Sequence, residues 1–213
     1  MSNWVVENIE LFLPRYLTDT TASGLIDSLR QFPDNVDQRL YLGSLAASEP
    51  MLQGDGIEEL TVCHLSTRSF YDAPCVVLSN SCDIDPANER HTPVNICYAP
   101  IFRLDKYRQE LESKYDHGKA TSVVESIRKQ RVTQYFYLPS GLGLSYEGVV
   151  FLDQVCSAPP TPEFHAQMKA RRIFTLSQYG FYLFLFKLSV HFTRMGEGVD
   201  RDTSKVAAQS AAS

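Results

Sequence analysis

Seven consecutive residues, Ser79-Asn80-Ser81-Cys82-Asp83-Ile84-Asp85, gather hydroxyls, an amide, a thiol and two carboxylates directly behind the apolar run 75–78. Several chemistries fit them. Asn80, Ser81 and Asp83 can hydrogen-bond neighbouring backbone N–H groups while Asp85-Pro86 starts the next bend, which makes the stretch a structural turn. Cys82 can be a nucleophile if a cationic neighbour holds it as the thiolate, with His91 or His191 as the partner. Cys82, Asp83, Asp85 and His91 are ligand types that suit a transition metal, but their spacing matches no closed site. No metal and no cofactor are therefore expected. The turn can also contact a nucleotide, RNA or a protein, with Asn80 and Ser81 as binding groups. The catalytic candidates are Cys82, Asp83 and Asp85.

Three other clusters have alternative uses. Arg128-Lys129-Gln130-Arg131 reads either as a solvated helix face or as a phosphate-facing patch. Tyr135-Phe136-Tyr137 follows it. Alternation along a strand would bury Phe136 and turn both tyrosines outward, as a stacking surface beside that charge. Gln53-Gly54-Asp55-Gly56 is a β-turn signal with a carboxylate at its tip. Lys187, His191 and Arg194 recur at i, i+4 and i+7 on a greasy stretch, and a buried cation there needs a partner such as Asp153 or Glu147.

Positioning these groups takes a run of short strands. The pattern predicts strands at 60–65, 75–80, 94–101, 135–139 and 148–155, separated by Gly, Pro, Asn and Asp. With no regular helix between most of them, they suggest a small barrel or strongly bent sheet in an α+β chain, not a doubly wound fold. Thr18 or Asp19 can cap a short N-terminal helix carrying Leu25, Ile26 and Leu29, closed by Pro33, with Phe32 beneath it. Residues 1–18 read as an extended docking segment within an N-terminal extension, 1–50. Residues 103–131 form an inserted helical segment. It holds eight Lys/Arg and five Asp/Glu, so it is net +3 in a chain of net −5. Helices are expected near 104–114 and 122–131, the second opened by the capping box Ser122-x-x-Glu125. Thr175 or Ser177 opens a long C-terminal helix, about 175–195, and 196–213 reads as a disordered tail.

An apolar content of 44% allows a sizeable core, and the acidic net charge argues against a general nucleic-acid coat. Five cysteines without a CxxC pair read as reduced thiols in a cytoplasmic protein. The start, MSNWVVENIELF, lacks the basic segment of a secretory signal, and the stretch 181–192 falls short of a membrane span.

The order of several strings resembles the MazF/PemK-like family of SH3-like barrels. Gly54-Asp55 resembles the opening of that family's first strand. The run 74–79, PCVVLS, resembles its second, Tyr98-Ala99-Pro100 the end of its third, and 145–155, SYEGVVFLDQV, a later segment. The resemblance covers roughly 54–102 and 135–195. It implies a homodimer and a toxin–antitoxin or phage-defence setting, and in many members cleavage of single-stranded RNA without a metal. The catalytic arginine that the resemblance implies falls at Ala73. The catalytic hydroxyl falls in Pro100-Ile101-Phe102-Arg103, which has none. Cleavage needs a cation for the charged phosphorane and a group that moves a proton, and neither alanine nor phenylalanine serves. Arg68, Arg90 or Arg103 could substitute.

The expectation is a binding or regulatory module for RNA, a nucleotide or a partner protein encoded nearby, without standard ribonuclease chemistry. The alternative is a hydrolase or endoribonuclease relocated to Cys82, Asp83 and Asp85. A third is a structural protein whose exposed aromatics form an oligomer interface.

Overall fold

A computed structural model describes residues 19–43, 49–88, 91–92 and 94–193, and over these the chain is α+β, with a seven-stranded antiparallel sheet. The docking segment 1–18, the tail, Arg90 and Arg194 lie outside the described residues. The elements are α1 (Asp19–Arg30), β1 (Gly56–His64), β2 (Ser69–Val77), α2 (Ser81–Ile84), β3 (Ile96–Arg103), α3 (Leu104–Lys114), α4 (His117–Arg128), β4 (Tyr135–Leu138), β5 (Gly148–Phe151), β6 (Cys156–Ala158), α5 (Pro162–Ala170), β7 (Arg172–Phe174) and α6 (Gln178–Thr193).

The strand order is β4-β5-β3-β2-β1-β7, with β6 attached to β3. β3 serves three neighbours. Residues 98–100 pair with β2, 96–98 with β6 and 101–103 with β5. Among the described residues β4 and β7 do not pair with each other. Phe136 of β4 and Phe174 of β7 nevertheless share one apolar cluster, so the sheet curls until its two ends face a common core.

Period-two alternation sorts the strand side chains between layers. Val76, Ala99, Ile101, Phe136, Leu138 and Val150 fill the inner core, closed by Leu25 of α1 and by Tyr179, Leu183 and Phe184 of α6. Phe32 packs against this cluster, as expected of it. Cys75, Val77, Ile96 and Tyr98 face the other way, onto Met51, Ile84 and Met168. A register shift between Ile57 and Leu60 changes parity within β1, so Ile57, Leu60 and Val62 all reach this second cluster. Fully burying a large apolar side chain such as Phe136 is worth roughly 1.5–3 kcal/mol.

Tyr135 and Tyr137 do point away from Phe136, but not into solvent. The helical insertion roofs that face, and Leu104, Leu111, Val124 and Ile127 of α3 and α4 pack on Tyr137 and Val149. The capping box at Ser122 is not used. Asp116 caps α4 by accepting the Lys119 N–H at 2.9 Å, and Ser122 lies inside the helix. The earlier start adds the turn that carries Ala120, which is fully buried in the same cluster. At α6, Ser177 supplies the cap, its Oγ accepting the Gly180 N–H at 3.1 Å.

Lys187 is buried, but no carboxylate meets it in its hydrogen bonds. Its ammonium donates to the carbonyls of Gln130 (2.9 Å) and Val132 (2.6 Å), just beyond the C-terminus of α4. Of the two expected partners, Glu147 is occupied by Arg128 and Asp153 is exposed. Asp55 is not at a solvent tip either; it is fully buried. Gly54 adopts φ +89 to make the turn, the Phe174 ring of β7 leaves no room for a Cβ at Gly56, and Asp55 between them accepts from Thr175 and the Leu52 N–H.

Candidate functional site

The turn after β2 is built on its own polar residues. Asn80 caps the one-turn helix α2, its side chain accepting the Cys82 N–H at 2.9 Å. Ser79 Oγ accepts the Cys97 N–H at 2.8 Å and Ser81 Oγ the Gln53 N–H at 3.0 Å. Gln53 returns a bond from Nε2 to the Leu78 carbonyl at 2.7 Å. Asn88 reaches back to the Cys82 carbonyl at 2.8 Å, and Asp85 Oδ1 accepts the Ala87 N–H at 2.9 Å. Cys82 itself is exposed and Asp83 half-buried. Among the described residues no group of three His, Cys, Asp or Glu side chains could hold a metal ion, so the set Cys82, Asp83, Asp85 and His91 does not assemble as ligands.

One member of the turn opens onto a cavity. Asp85 lines a cleft of about 240 Å³ together with Pro50, Met51, Ile84, Pro86, His165 and Lys169. The floor is apolar: Met51 and Ile84 belong to the second cluster, which Met168 of α5 completes. His165 and Lys169 stand four residues apart on α5, hence on one face of that helix. Thr161 caps α5 by accepting the Phe164 N–H at 3.2 Å, and Pro162 occupies its first turn. Burial lowers the His165 pKa below its ordinary value, against the opposing charge of Asp85. The imidazole is therefore mainly neutral at pH 7. A carboxylate, a neutral imidazole and an ammonium thus line one small cavity above apolar side chains. That set can accept and donate hydrogen bonds to a polar ligand, and it includes a base.

The other nominated residues lie elsewhere. Arg68 is exposed at the tip of the β1–β2 hairpin, with φ +53. Arg103 pairs with Asp105 at 2.8 Å and lies over the Tyr146 ring at 4.7 Å. Arg128 makes a two-pronged pair with Glu147, at 2.8 and 2.7 Å, and a third bond to Glu125 at 2.7 Å. Tyr137 donates its hydroxyl to the same Glu147 at 2.7 Å, and these contacts hold the Glu147 carboxyl below the usual carboxylate range, Arg128 foremost. Arg128 is thus an anchor between α4 and the sheet, while Lys129 and Arg131 beside it are exposed. Ala73 packs against the second cluster, and Phe102 lies 4.5 Å from the Phe151 ring.

No local motif marks His165 and Lys169 as site residues in the sequence. The signal for their helix was present in Thr161-Pro162-Glu163, a cap followed by proline and an acid. No protein-family model matches the chain, and no curated protein sequence matches it.

Proposed function

We propose that this protein is a binding module, a MazF/PemK-like, SH3-like barrel that engages single-stranded RNA or a nucleotide at the cleft of Asp85, His165 and Lys169 without the family's strand-cleaving chemistry. The observation that carries this reading is the cleft itself, with charged and neutral polar groups above an apolar floor, beside the turn that follows β2. Two further observations support the non-catalytic form. Ala73 and Phe102 occupy the positions of the expected arginine and hydroxyl, and both pack against apolar neighbours. Arg103, one of the three arginines that could have supplied the missing cation, and Arg128 of the basic patch are each paired with a carboxylate of their own chain. The resemblance extends the proposal to a cytoplasmic homodimer working beside a partner protein in a toxin–antitoxin or phage-defence system. Among the described residues no helix is long and apolar enough to cross a membrane.

The test is to mix the purified protein with fluorescent single-stranded RNA in the presence of a chelator. A rise in anisotropy with the RNA intact is expected, weakened by Lys169→Ala. Sequence-selective cleavage would overturn the non-catalytic form, and no binding would overturn the module.

The alternative, a relocated hydrolase, draws on one observation. A half-buried, neutral His165 lining the same cleft as Asp85 has the protonation state a general base needs. In that reading His165 takes the place given to Cys82 and Asp83, and Asp85 keeps its own. Cleavage lost in His165→Ala but kept in Cys82→Ser would establish it.

A further inference from the structure

The cleft has a more specific chemistry than an anion site. Its two charged groups are of opposite kind. Asp85 only accepts hydrogen bonds when ionised, and Lys169 only donates. One lone pair of Asp85 is committed to the Ala87 N–H, which leaves acceptor capacity on both oxygens. Pro50 and Pro86 add rigid rings to the lining, and Met51 and Ile84 an apolar floor. The volume of about 240 Å³ lies under the roughly 300–1,000 Å³ that house drug-sized ligands. The occupant is therefore a compact group with apolar faces, a donor edge and an acceptor edge.

Among the nucleobases, guanine has that layout. Its N1–H and N2–H₂ form a pair of adjacent donors, and its O6 and N7 form a pair of acceptors on another edge. Adenine and cytosine place an acceptor next to their amino group, which a carboxylate repels, and uracil flanks its one N–H with two carbonyls. We propose that the cleft takes a single guanine base, Asp85 accepting from the N1–H and N2–H₂ edge, Lys169 donating to the O6 and N7 edge, and Met51 and Ile84 packing against the ring. His165, one turn from Lys169, adds a donor or acceptor without a second full positive charge. The inference rests on the reading that this cleft binds RNA or a nucleotide, and it names the base that does so.

The experiment has two arms, which also separate a base within RNA from a free nucleotide. In the first, anisotropy compares oligouridylate with the same oligomer carrying one central G or one central A. In the second, calorimetry titrates GMP, AMP, CMP and UMP. Each is run on the wild type, Asp85→Asn and Lys169→Ala, whose folding is checked by circular dichroism. Tighter binding of the G-containing oligomer, of GMP, or of both is expected. Asp85→Asn should reduce that preference by roughly 5- to 150-fold, the worth of one two-pronged base contact. Equal binding of all oligomers and nucleotides would overturn the guanine assignment and leave the RNA-binding reading standing. So would a guanine preference that survives both substitutions. No binding of any oligomer or nucleotide would overturn both.

Discussion

Lys187→Met would expose the cost of holding an ammonium inside this fold. The side chain is 3% exposed and hydrogen-bonds two carbonyls. Burial lowers its pKa from 10.5 to about 8. Unfolding returns the lysine to water and to its ordinary value. Between the two values the unfolded chain binds a proton that the folded chain has released, so stability rises with pH across that window and is flat below it. The window, about 8 to 10.5, spans about 2.5 pH units. At about 1.36 kcal/mol per unit, the wild type should gain roughly 3 kcal/mol over Lys187→Met from one end to the other. Tyrosines also titrate at high pH, but they do so in both proteins and cancel in the difference. Below pH 8 the variant loses the donor for the two carbonyls, at about 1–3 kcal/mol each, and also sheds the desolvated charge, so the two terms oppose each other there. The assay is urea unfolding followed by circular dichroism at pH 7.5, 8.5, 9.5 and 10. A wild-type stability that stays level with the variant's, or falls relative to it, as pH rises refutes the reasoning. It would mean that the Gln130 and Val132 carbonyls replace water in full.

Glu147→Gln should cost about 1 kcal/mol at pH 7, modest because the Arg128–Glu147 pair is about one-third exposed. The wild-type carboxyl titrates below its ordinary 4.5, so its contribution is present above that value and is lost as pH falls through the folded-state value. Acid unfolding curves of the two proteins should converge at low pH. Asp55→Ala removes the partner of Arg172, whose side chain is 7% exposed, and should cost about 3–5 kcal/mol in urea unfolding. Adding Arg172→Met should recover part of that loss, and a purely additive double variant would count against the pair. Alkylation should reach the exposed Cys82 well before Cys75, whose thiol is buried and pushed up in pKa by that burial. Cys82→Ser should bind RNA as the wild type does; lost binding would return the thiol to the site.

What the sequence made legible is the pattern that local period carries. The strands at 75–77, 96–101, 135–138 and 148–151 follow from β-branched and aromatic runs bounded by turn residues, and so does the inward placement of Phe136. β6 and β7 have three residues each, too few to show a period. Asp55 reads as a turn residue because its local context is Gly-Asp-Gly. Its burial depends on Thr175, which donates to it at 2.6 Å from 120 residues away. That burial raises its carboxyl pKa, against the bonds from Thr175, Leu52 and Arg172. The two tyrosines beside Phe136 are covered rather than solvent-facing for a related reason. Alternation tells which way a side chain points, but not whether a helix from an insertion will cover that face. For the cleft, the turn 79–85 was visible and one of its carboxylates lines the cavity, but α5 contributes the imidazole and the ammonium across a separation that no local motif records.

The pairing of Arg103 and Arg128 with carboxylates makes the cleft a better place for ligand chemistry than the basic insertion. A guanidinium held by a carboxylate in two-pronged geometry is already in a strong, charge-assisted contact. To meet a phosphate, Arg128 would have to leave Glu147, and Glu147 also accepts the Tyr137 hydroxyl. Its backbone carbonyl accepts the Leu104 N–H at the start of α3 as well. Arg128 thus ties α4 to the residue whose carbonyl anchors the start of α3, so its positive charge is a structural device. The same reasoning separates Asp85 from the rest of its turn. Asn80, Ser79 and Ser81 hold the backbone of α2 and its neighbours, and a ligand that used them would have to undo the turn. Asp85 gives one lone pair to Ala87 and presents the remaining capacity of its carboxylate beside His165, where a ligand can be bound without breaking the contacts that shape the site.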